Sequence, residues 1–308
     1  MGIAFVFPGQ GSQYIGMYSG FLSKKEFEKY FDVIKEILGK NFVERVEDGP
    51  EEVLKDTRVS QPAIFSVSCM LADYLRDNGI IPKCVAGHSL GEYSAFYSAG
   101  VFDFEGGLKL VKKRAEIMNE IAQKHDGGMW AVIGGNLEEI EESLKGFQGE
   151  ELFLWAANYN SPGQIVLSGN RDAFNIWYSK MKEKVKRVIS LSVSGPFHSP
   201  LMKEAEEIFK ETLEGFKFDN PKLRVVSSTT ASVVNGEEEV KNILLKQFTN
   251  SVRWIDTVNY MIYNMGVNCF IEVGPGKVLQ GLIKKINPDV KTLGLEKPED
   301  LDNIKGEI

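Results

Sequence analysis

Residues Val85–Ala95 read Val-Ala-Gly-His-Ser-Leu-Gly-Glu-Tyr-Ser-Ala, and few folds can hold them. A short apolar run, Cys84-Val85-Ala86, enters Gly87-His88-Ser89-Leu90-Gly91, and a helix-forming stretch follows. This is Gly-x-Ser-x-Gly set between a strand and a helix. Such a turn is strained, and the flanking backbones pass close to the serine, so glycine is needed on both sides. Ser89 is expected at the tip of the turn. The next N–H, that of Leu90, is expected to point into the same space at a helix N-terminus, where negative charge is favoured. A motif of this length also fits a purely structural strand–helix turn. The strand before it and the helix after it favour a nucleophile.

The rest of the chain alternates in the same way. Ile3–Phe7 is a continuous apolar run and reads as a buried strand, followed by the loop Gly9-Gln10-Gly11-Ser12-Gln13. Gly-x-Gly after a strand is a weak dinucleotide signal: Tyr14 occupies the third glycine position, and no acidic strand end follows. The loop is either a tight turn or one whose amides face a ligand. Phe27 to Leu38 has helical spacing, closed by Gly39. A second helix is expected from Gln61-Pro62 to Asn78-Gly79, with Pro62 in its first turn. Asp103 can cap a third, which carries Leu108, Val111, Ala115, Met118 and Ile121 on one face and Arg114 beside it. Strands are expected at Leu223–Ser227 and Cys269–Val273, and helices through Phe209–Leu213, Trp254–Met265 and Val278–Ile286. Strand and helix in alternation imply a mostly parallel sheet covered on both faces, an α/β-hydrolase-like domain.

Between residues 127 and 192 the pattern changes. Met129–Ile133, Leu152–Ala156, Gln164–Ser168 and Val188–Leu191 read as strands. Leu137–Leu144 and Asp172–Val185 read as helices, and Asn158–Gly163 as a turn. The order βαββαβ is ferredoxin-like. The expected organisation is therefore a catalytic domain of residues 1–126 and 193–308, interrupted by a ferredoxin-like subdomain of residues 127–192.

Bulk properties narrow the function. A chain of 308 residues buries a full core, and its net charge of −7 argues against non-specific nucleic-acid binding. No apolar run is long enough for a membrane span, and the N-terminus lacks the features of a signal peptide. Cys69, Cys84 and Cys269 show no metal or redox spacing and are expected as buried free thiols, consistent with a cytoplasmic protein.

A serine hydroxyl needs a base within reach, and the chain has 3 histidines. His88 adjoins Ser89, where neighbouring side chains diverge. His125 lies in a polar, glycine-rich connection and is expected at the surface. His198 follows the serine in a loop bracketed by proline and glycine, the order found in hydrolase-like sheets, and is the favoured base. Arg114 has no role at this level: helix arginines are usually solvated.

Five motifs in order resemble the malonyl-CoA:acyl carrier protein transacylase family, the free-standing acyltransferases of bacterial-type fatty acid synthesis. They are Phe5–Gln13, Gly87–Ala95, Leu110-Val111-x-x-Arg114, Pro196-Phe197-His198 and Glu272–Lys277, and the match runs from Ile3 to about Ile286. The resemblance implies that Ser89 becomes malonylated and that His198 is base and then acid. It implies that the backbone carbonyl of Gln247 orients the histidine, and that the N–H groups of Gln10 and Leu90 form the oxyanion hole. Arg114 would bind the free carboxylate of malonyl, and Phe197 matches the Phe-His pair of malonyl-selective relatives, although Pro196 departs from the alanine common there in synthase domains. The implied reaction is ping-pong, from malonyl-CoA to the phosphopantetheine thiol of acyl carrier protein, with no bound cofactor, no metal, no nucleic acid and no membrane, by a monomer. Docking of an acidic carrier would need a basic patch, with Lys180, Lys182, Lys184, Lys186 and Arg187 as one candidate and Lys284 with Lys285 as another.

Three rival readings share parts of this pattern. A serine hydrolase would share the turn and the Ser–His pair, and would release malonate rather than transfer it. A non-catalytic interaction module would be expected to lack Ser89, His198 or Arg114. A transacylase of other acyl specificity would not depend on Arg114.

Overall fold

The computed structural model describes residues 2–308. The chain begins with β1 (Ile3–Phe7), α1 (Glu28–Leu38), α2 (Phe42–Glu47), α3 (Glu51–Lys55), α4 (Thr57–Asp77), β2 (Cys84–Gly87), α5 (Gly91–Ser98) and α6 (Phe104–Ala122). It continues through β3 (Gly127–Ile133), α7 (Leu137–Leu144), β4 (Leu154–Ser161), β5 (Gln164–Asn170), α8 (Arg171–Met181) and β6 (Arg187–Ser190). The last part holds α9 (Lys203–Glu214), β7 (Arg224–Val225), α10 (Glu237–Lys246), α11 (Trp254–Tyr263), β8 (Cys269–Val273), α12 (Val278–Ile286), β9 (Lys291–Leu295) and α13 (Leu301–Lys305).

Five strands form a parallel sheet in the order β7-β2-β1-β8-β9. Its strands are apolar at consecutive positions because both faces are covered. Phe5, Phe7, Val85, Ile271 and Val273 enter one core, while Ala4, Val6, Cys84, Ala86 and Phe270 enter the other. Phe7 pairs with Gly87, so β1 and β2 end level and their following loops lie side by side. Those loops carry Gln10 and Ser89.

The other four strands form an antiparallel sheet in the order β4-β5-β3-β6. Alternation decides its faces. Trp130, Val132, Leu154, Ala156, Ile165 and Leu167 pack with Phe174 and Trp177 of α8 and Ile140 of α7. Met129, Ala131 and Val166 point the other way, toward the core shared with the parallel sheet. Two of this small sheet's ties to the rest of the chain lie beside the histidine loop and its support. At its entry and exit the chains cross closely: a Cβ on Gly195 would lie 2.4 Å from Cβ of Ala122, and one on Gly127 would lie 3.1 Å from Pro196. On its far side, Tyr159 donates to the Val252 carbonyl at 2.9 Å and Val252 donates to that of Ala157 at 2.8 Å.

Several boundaries differ from expectation, the largest as follows. Helix α4 starts at Thr57, with Pro62 inside it rather than in its first turn. Asp56 caps that start by accepting the Arg58 N–H at 2.8 Å, and burial of nearly the whole helix offsets what an interior proline costs. Strand β4 continues to Ser161, because register shifts at Ala156/Asn158 and Tyr159/Ser161 absorb residues that read as a turn. Helix α8 stops at Met181, short of Val185, and β7 is only Arg224–Val225. Asp103 caps α6 through the Gly106 N–H at 2.8 Å, as its position implied. Cys69, Cys84 and Cys269 are free and buried. No described helix is long and apolar enough to cross a membrane.

Candidate active site

The turn after β2 is as tight as its glycines require. A Cβ on Gly87 would lie 1.9 Å from the Gly91 carbonyl carbon, and one on Gly91 would lie 2.0 Å from the Phe7 carbonyl oxygen. Neither position accepts any other residue. A Cβ on Gly9 would lie 2.6 Å from the His88 carbonyl, so the loop after β1 is pressed against the same turn. Ser89 has φ +53°, a left-handed conformation that costs a non-glycine residue energy and marks a strained functional turn. Leu90 follows at the head of α5. The N–H groups of Gln10 and Leu90 donate to no protein acceptor among the described residues.

His198 reaches Ser89 from the loop that leaves the small sheet. Its Nε2 is 2.7 Å from Ser89 Oγ, and its Nδ1 is 2.8 Å from the Gln247 carbonyl oxygen. A carbonyl only accepts, so Nδ1 carries the proton and Nε2 is left as the acceptor facing the hydroxyl. His198 has φ +56° and is 5% exposed. Burial, and then the Arg114 charge, push its imidazole pKa down to about 3, against the opposing bond to Gln247. The ring is therefore neutral at physiological pH and ready to accept a proton.

Arg114 does not point to solvent. It is 1% exposed, with its guanidinium over the Tyr93 ring at 5.4 Å and the Phe248 ring at 5.9 Å. Nη1 donates to Gln61 Oε1 at 2.6 Å, and Nη2 donates to Gln247 Oε1 at 3.1 Å and to Ser89 Oγ at 3.2 Å. Nε has no partner, and no carboxylate forms an ion pair with it among the described residues. Burial lowers its pKa, but a guanidinium starts so high that it stays charged. Arg114 is thus a buried cation held only by neutral oxygens, with no counter-ion among the described residues.

Ser89 and His198 open onto a cavity of about 250 Å³ between the two sheets. Gln10 and Ser12 line one side, Val278, Leu279 and Leu282 of α12 a second, and Met129, Ala131, Asn158, Asn160, Gln164 and Val166 of the small sheet a third. Gln10 lines the cavity, and its side chain is bonded to Thr57 Oγ1 at 3.1 Å. His88 diverges from Ser89 and pairs instead with Asn160 Oδ1 at 2.8 Å. His125 is half-buried in its connection, away from the cavity. Phe197 is 3% exposed and part of the core, and it does not line the cavity.

Three participants had no functional reading in the sequence. Gln61 reads as a helix start, yet it holds Arg114. Asn160 reads as part of a turn, yet it faces the cavity from a strand. Glu92 lies within the serine motif, whose pattern assigns it no role. It is 0% exposed, and it accepts from the Ser228 N–H at 2.9 Å, the Thr229 hydroxyl at 3.3 Å and the Gln247 side-chain amide. The signal was available: a carboxylate in an otherwise apolar helical turn needs partners. No cluster of metal-ligating side chains occurs among the described residues.

Comparison with known proteins identifies the family. The model of the acyl transferase domain family matches residues 4–301. The chain is 39% identical over 302 residues to the malonyl CoA-acyl carrier protein transacylase of Bacillus subtilis (strain 168), covering 97% of this chain and 95% of that relative. The crystal structure of the Synechocystis sp. PCC 6803 malonyl-CoA:ACP transacylase superposes with a TM-score of 0.90 at 38% identity, covering 98% of this chain and 100% of that one. A malonyl-transacylase solved in complex with its type II PKS acyl-carrier protein gives a TM-score of 0.94 at 34% identity, covering 100% of both chains. The chain belongs to the malonyl-CoA:acyl carrier protein transacylase family of acyltransferases.

Proposed function

We propose that this enzyme moves a malonyl group from malonyl-CoA to the phosphopantetheine thiol of acyl carrier protein through a malonyl ester of Ser89. One observation carries the reading. The Ser89 hydroxyl lies between a neutral His198 Nε2 at 2.7 Å and the unpaired buried cation of Arg114 at 3.2 Å. Base and carboxylate receptor thus converge on one oxygen.

The steps follow from these contacts. The malonyl carboxylate pairs with Arg114, which sets the thioester carbonyl against Ser89. Oγ bonds to that carbon as its proton passes to His198 Nε2. The resulting oxyanion is held by the Gln10 and Leu90 N–H groups, and losing one such donor typically costs about 2.7–4 kcal/mol. The carbon–sulfur bond breaks, and His198 returns the proton to the departing sulfur, releasing CoA. The carrier's thiol then gives its proton to His198 and attacks the ester carbonyl, and Ser89 Oγ recovers the proton as it leaves. The Gln247 carbonyl keeps the imidazole in the tautomer both halves need. Phe197, which lies off the cavity, would act on selectivity only by shaping the histidine loop.

The same reading includes the finer architecture. The parallel sheet with covered faces supports an α/β-hydrolase-like domain of residues 1–126 and 193–308. The sheet order β4-β5-β3-β6 with two helices on one face supports a ferredoxin-like subdomain of residues 127–192. We take the protein to act as a cytoplasmic monomer without a bound cofactor. An acidic carrier would dock on exposed basic residues, with Lys284 and Lys285 on cavity-lining α12 as one site and Lys180, Lys182, Lys184, Lys186 and Arg187, from the end of α8 to the start of β6, as the other.

Intact-mass analysis after mixing with malonyl-CoA and acetyl-CoA tests the proposal. A malonyl adduct on Ser89, absent from Ser89→Ala, is the expected result. An adduct elsewhere, or free malonate without any transfer to an added thiol, would refute it.

A further inference from the structure

A buried cation without an ion pair must be held by neutral groups, and two glutamine amides hold Arg114. An amide can serve a guanidinium only through its oxygen, so it must be kept from turning end for end. For Gln247 the lock is visible. Its Nε2 donates to the Ser89 carbonyl at 2.9 Å and to the Glu92 carboxylate. Both partners only accept. A reversed amide would set its oxygen against two acceptors and its NH2 against Arg114.

Glu92 lies on α5 just beyond Ser89, and it does not line the cavity. Burial raises its carboxyl pKa, but the Ser228 N–H and the Gln247 NH2 both donate to it, which the ionised form alone uses in full. We infer that Glu92 is a positioning residue for acyl selection: its carboxylate locks the Gln247 amide with the oxygen toward Arg114, and so keeps the guanidinium aimed at an acyl group that bears a carboxylate. The inference rests on the proposed role of Arg114. It differs from a general structural role because it reaches the substrate through one amide, and only through the end of the substrate that malonyl has and acetyl lacks.

The test is the ratio of Ser89 acylation by malonyl-CoA to that by acetyl-CoA, each measured as kcat/KM on the full chain. Glu92→Gln keeps the shape but points an NH2 at groups that themselves donate. It is expected to lower the ratio on the order of tenfold, the scale of one charge-assisted hydrogen bond. The loss should fall on KM for malonyl-CoA, with acetyl-CoA little changed. Gln247→Leu, which spares the backbone carbonyl used by His198, should lower the ratio to a similar extent, and the double variant should be no lower than Gln247→Leu alone. Equal losses with both substrates, or additive losses in the double variant, would overturn the inference. If Glu92→Gln does not fold, Glu92→Asp withdraws the carboxylate from Gln247 while keeping its charge, and an unchanged ratio there overturns it equally. Arg114→Ala separates the two levels. A ratio preserved in Arg114→Ala refutes the reading of Arg114. A ratio lost there but kept in Glu92→Gln refutes only the role of Glu92.

Discussion

The two sheets face each other across one cavity but contribute different things to it. The parallel sheet brings its strand ends to a common edge, so that turns and helix N-termini gather at one place. Oriented N–H groups and reactive side chains can then be concentrated there. Ser89, Gln10 and the head of α5 lie at that edge. The antiparallel sheet has no such edge, because its strand directions alternate and their dipoles cancel. It offers a face instead, with Met129, Ala131 and Val166 as apolar wall and Asn158, Asn160 and Gln164 as uncharged polar groups. Nothing on that wall titrates. The edge of the parallel sheet thus supplies Ser89 and the oriented N–H groups, the loop leaving the small sheet supplies His198, and the shape of the cavity comes from both.

Breaking that division should produce effects in a definite order. The largest belongs to the base. His198→Ala removes proton transfer and is expected to slow acylation by about 10²–10⁴-fold, read as the rate of CoA release. A loss below tenfold would place the base elsewhere.

Arg114→Ala comes next. It should abolish most of the preference for malonyl over acetyl, a change on the order of a hundredfold for a lost buried charge-assisted contact, while acetyl transfer persists. Competition between the two CoA esters measures it.

The third effect concerns pH. Folded His198 stays neutral down to about 3, whereas in the unfolded chain it protonates below its ordinary 6.5. Between those values the unfolded state binds more protons, so His198 makes stability fall as pH is lowered through that window. The slope approaches about 1.4 kcal/mol per pH unit. Glu272, whose pKa burial raises to about 7, works in the opposite sense, so the comparison must be made against His198→Ala. Denaturant melts at pH 7 and pH 5 should show a smaller acid loss in the variant. Acylation by the intact enzyme should show no step near pH 6.5.

The smallest effect decides which region meets the carrier. Charge reversal at Lys284 and Lys285 should slow transfer to carrier protein several-fold, on the order of an electrostatic steering change, without slowing acylation by malonyl-CoA. The same outcome for Lys180, Lys182 and Lys186 instead would move docking to the small sheet. Equal loss in both half-reactions would remove both patches from consideration.

Much of this was legible in the sequence, and what was missed has a common cause. The strand–turn–helix around Ser89 is written in adjacent residues, and two of its glycines are dictated by contacts within 2.0 Å. His198 could be found by eliminating two other histidines. Arg114 could not be found from its own helix, since its position beside an apolar face fits a solvated arginine equally well. Only the family resemblance gave it a role. Gln61 and Glu92 were lost for another reason. Periodicity sorts a helix into a wet face and a dry one, but α4 and α5 are buried almost all round. A polar residue on such a helix faces other protein in whatever direction it points, and its partners come from distant parts of the chain. The β4 boundary failed because bulges add residues without changing composition.

Two of the small sheet's moorings have a mechanical consequence. One is the crossing of Ala122 and Gly127 with Gly195 and Pro196, two residues before His198. The other is the backbone bridge to Val252, five residues after Gln247. Each mooring thus adjoins one end of the His198 Nδ1–Gln247 carbonyl bond. A load applied to the small sheet's outer surface would pass in part through the segments that aim the base at Ser89.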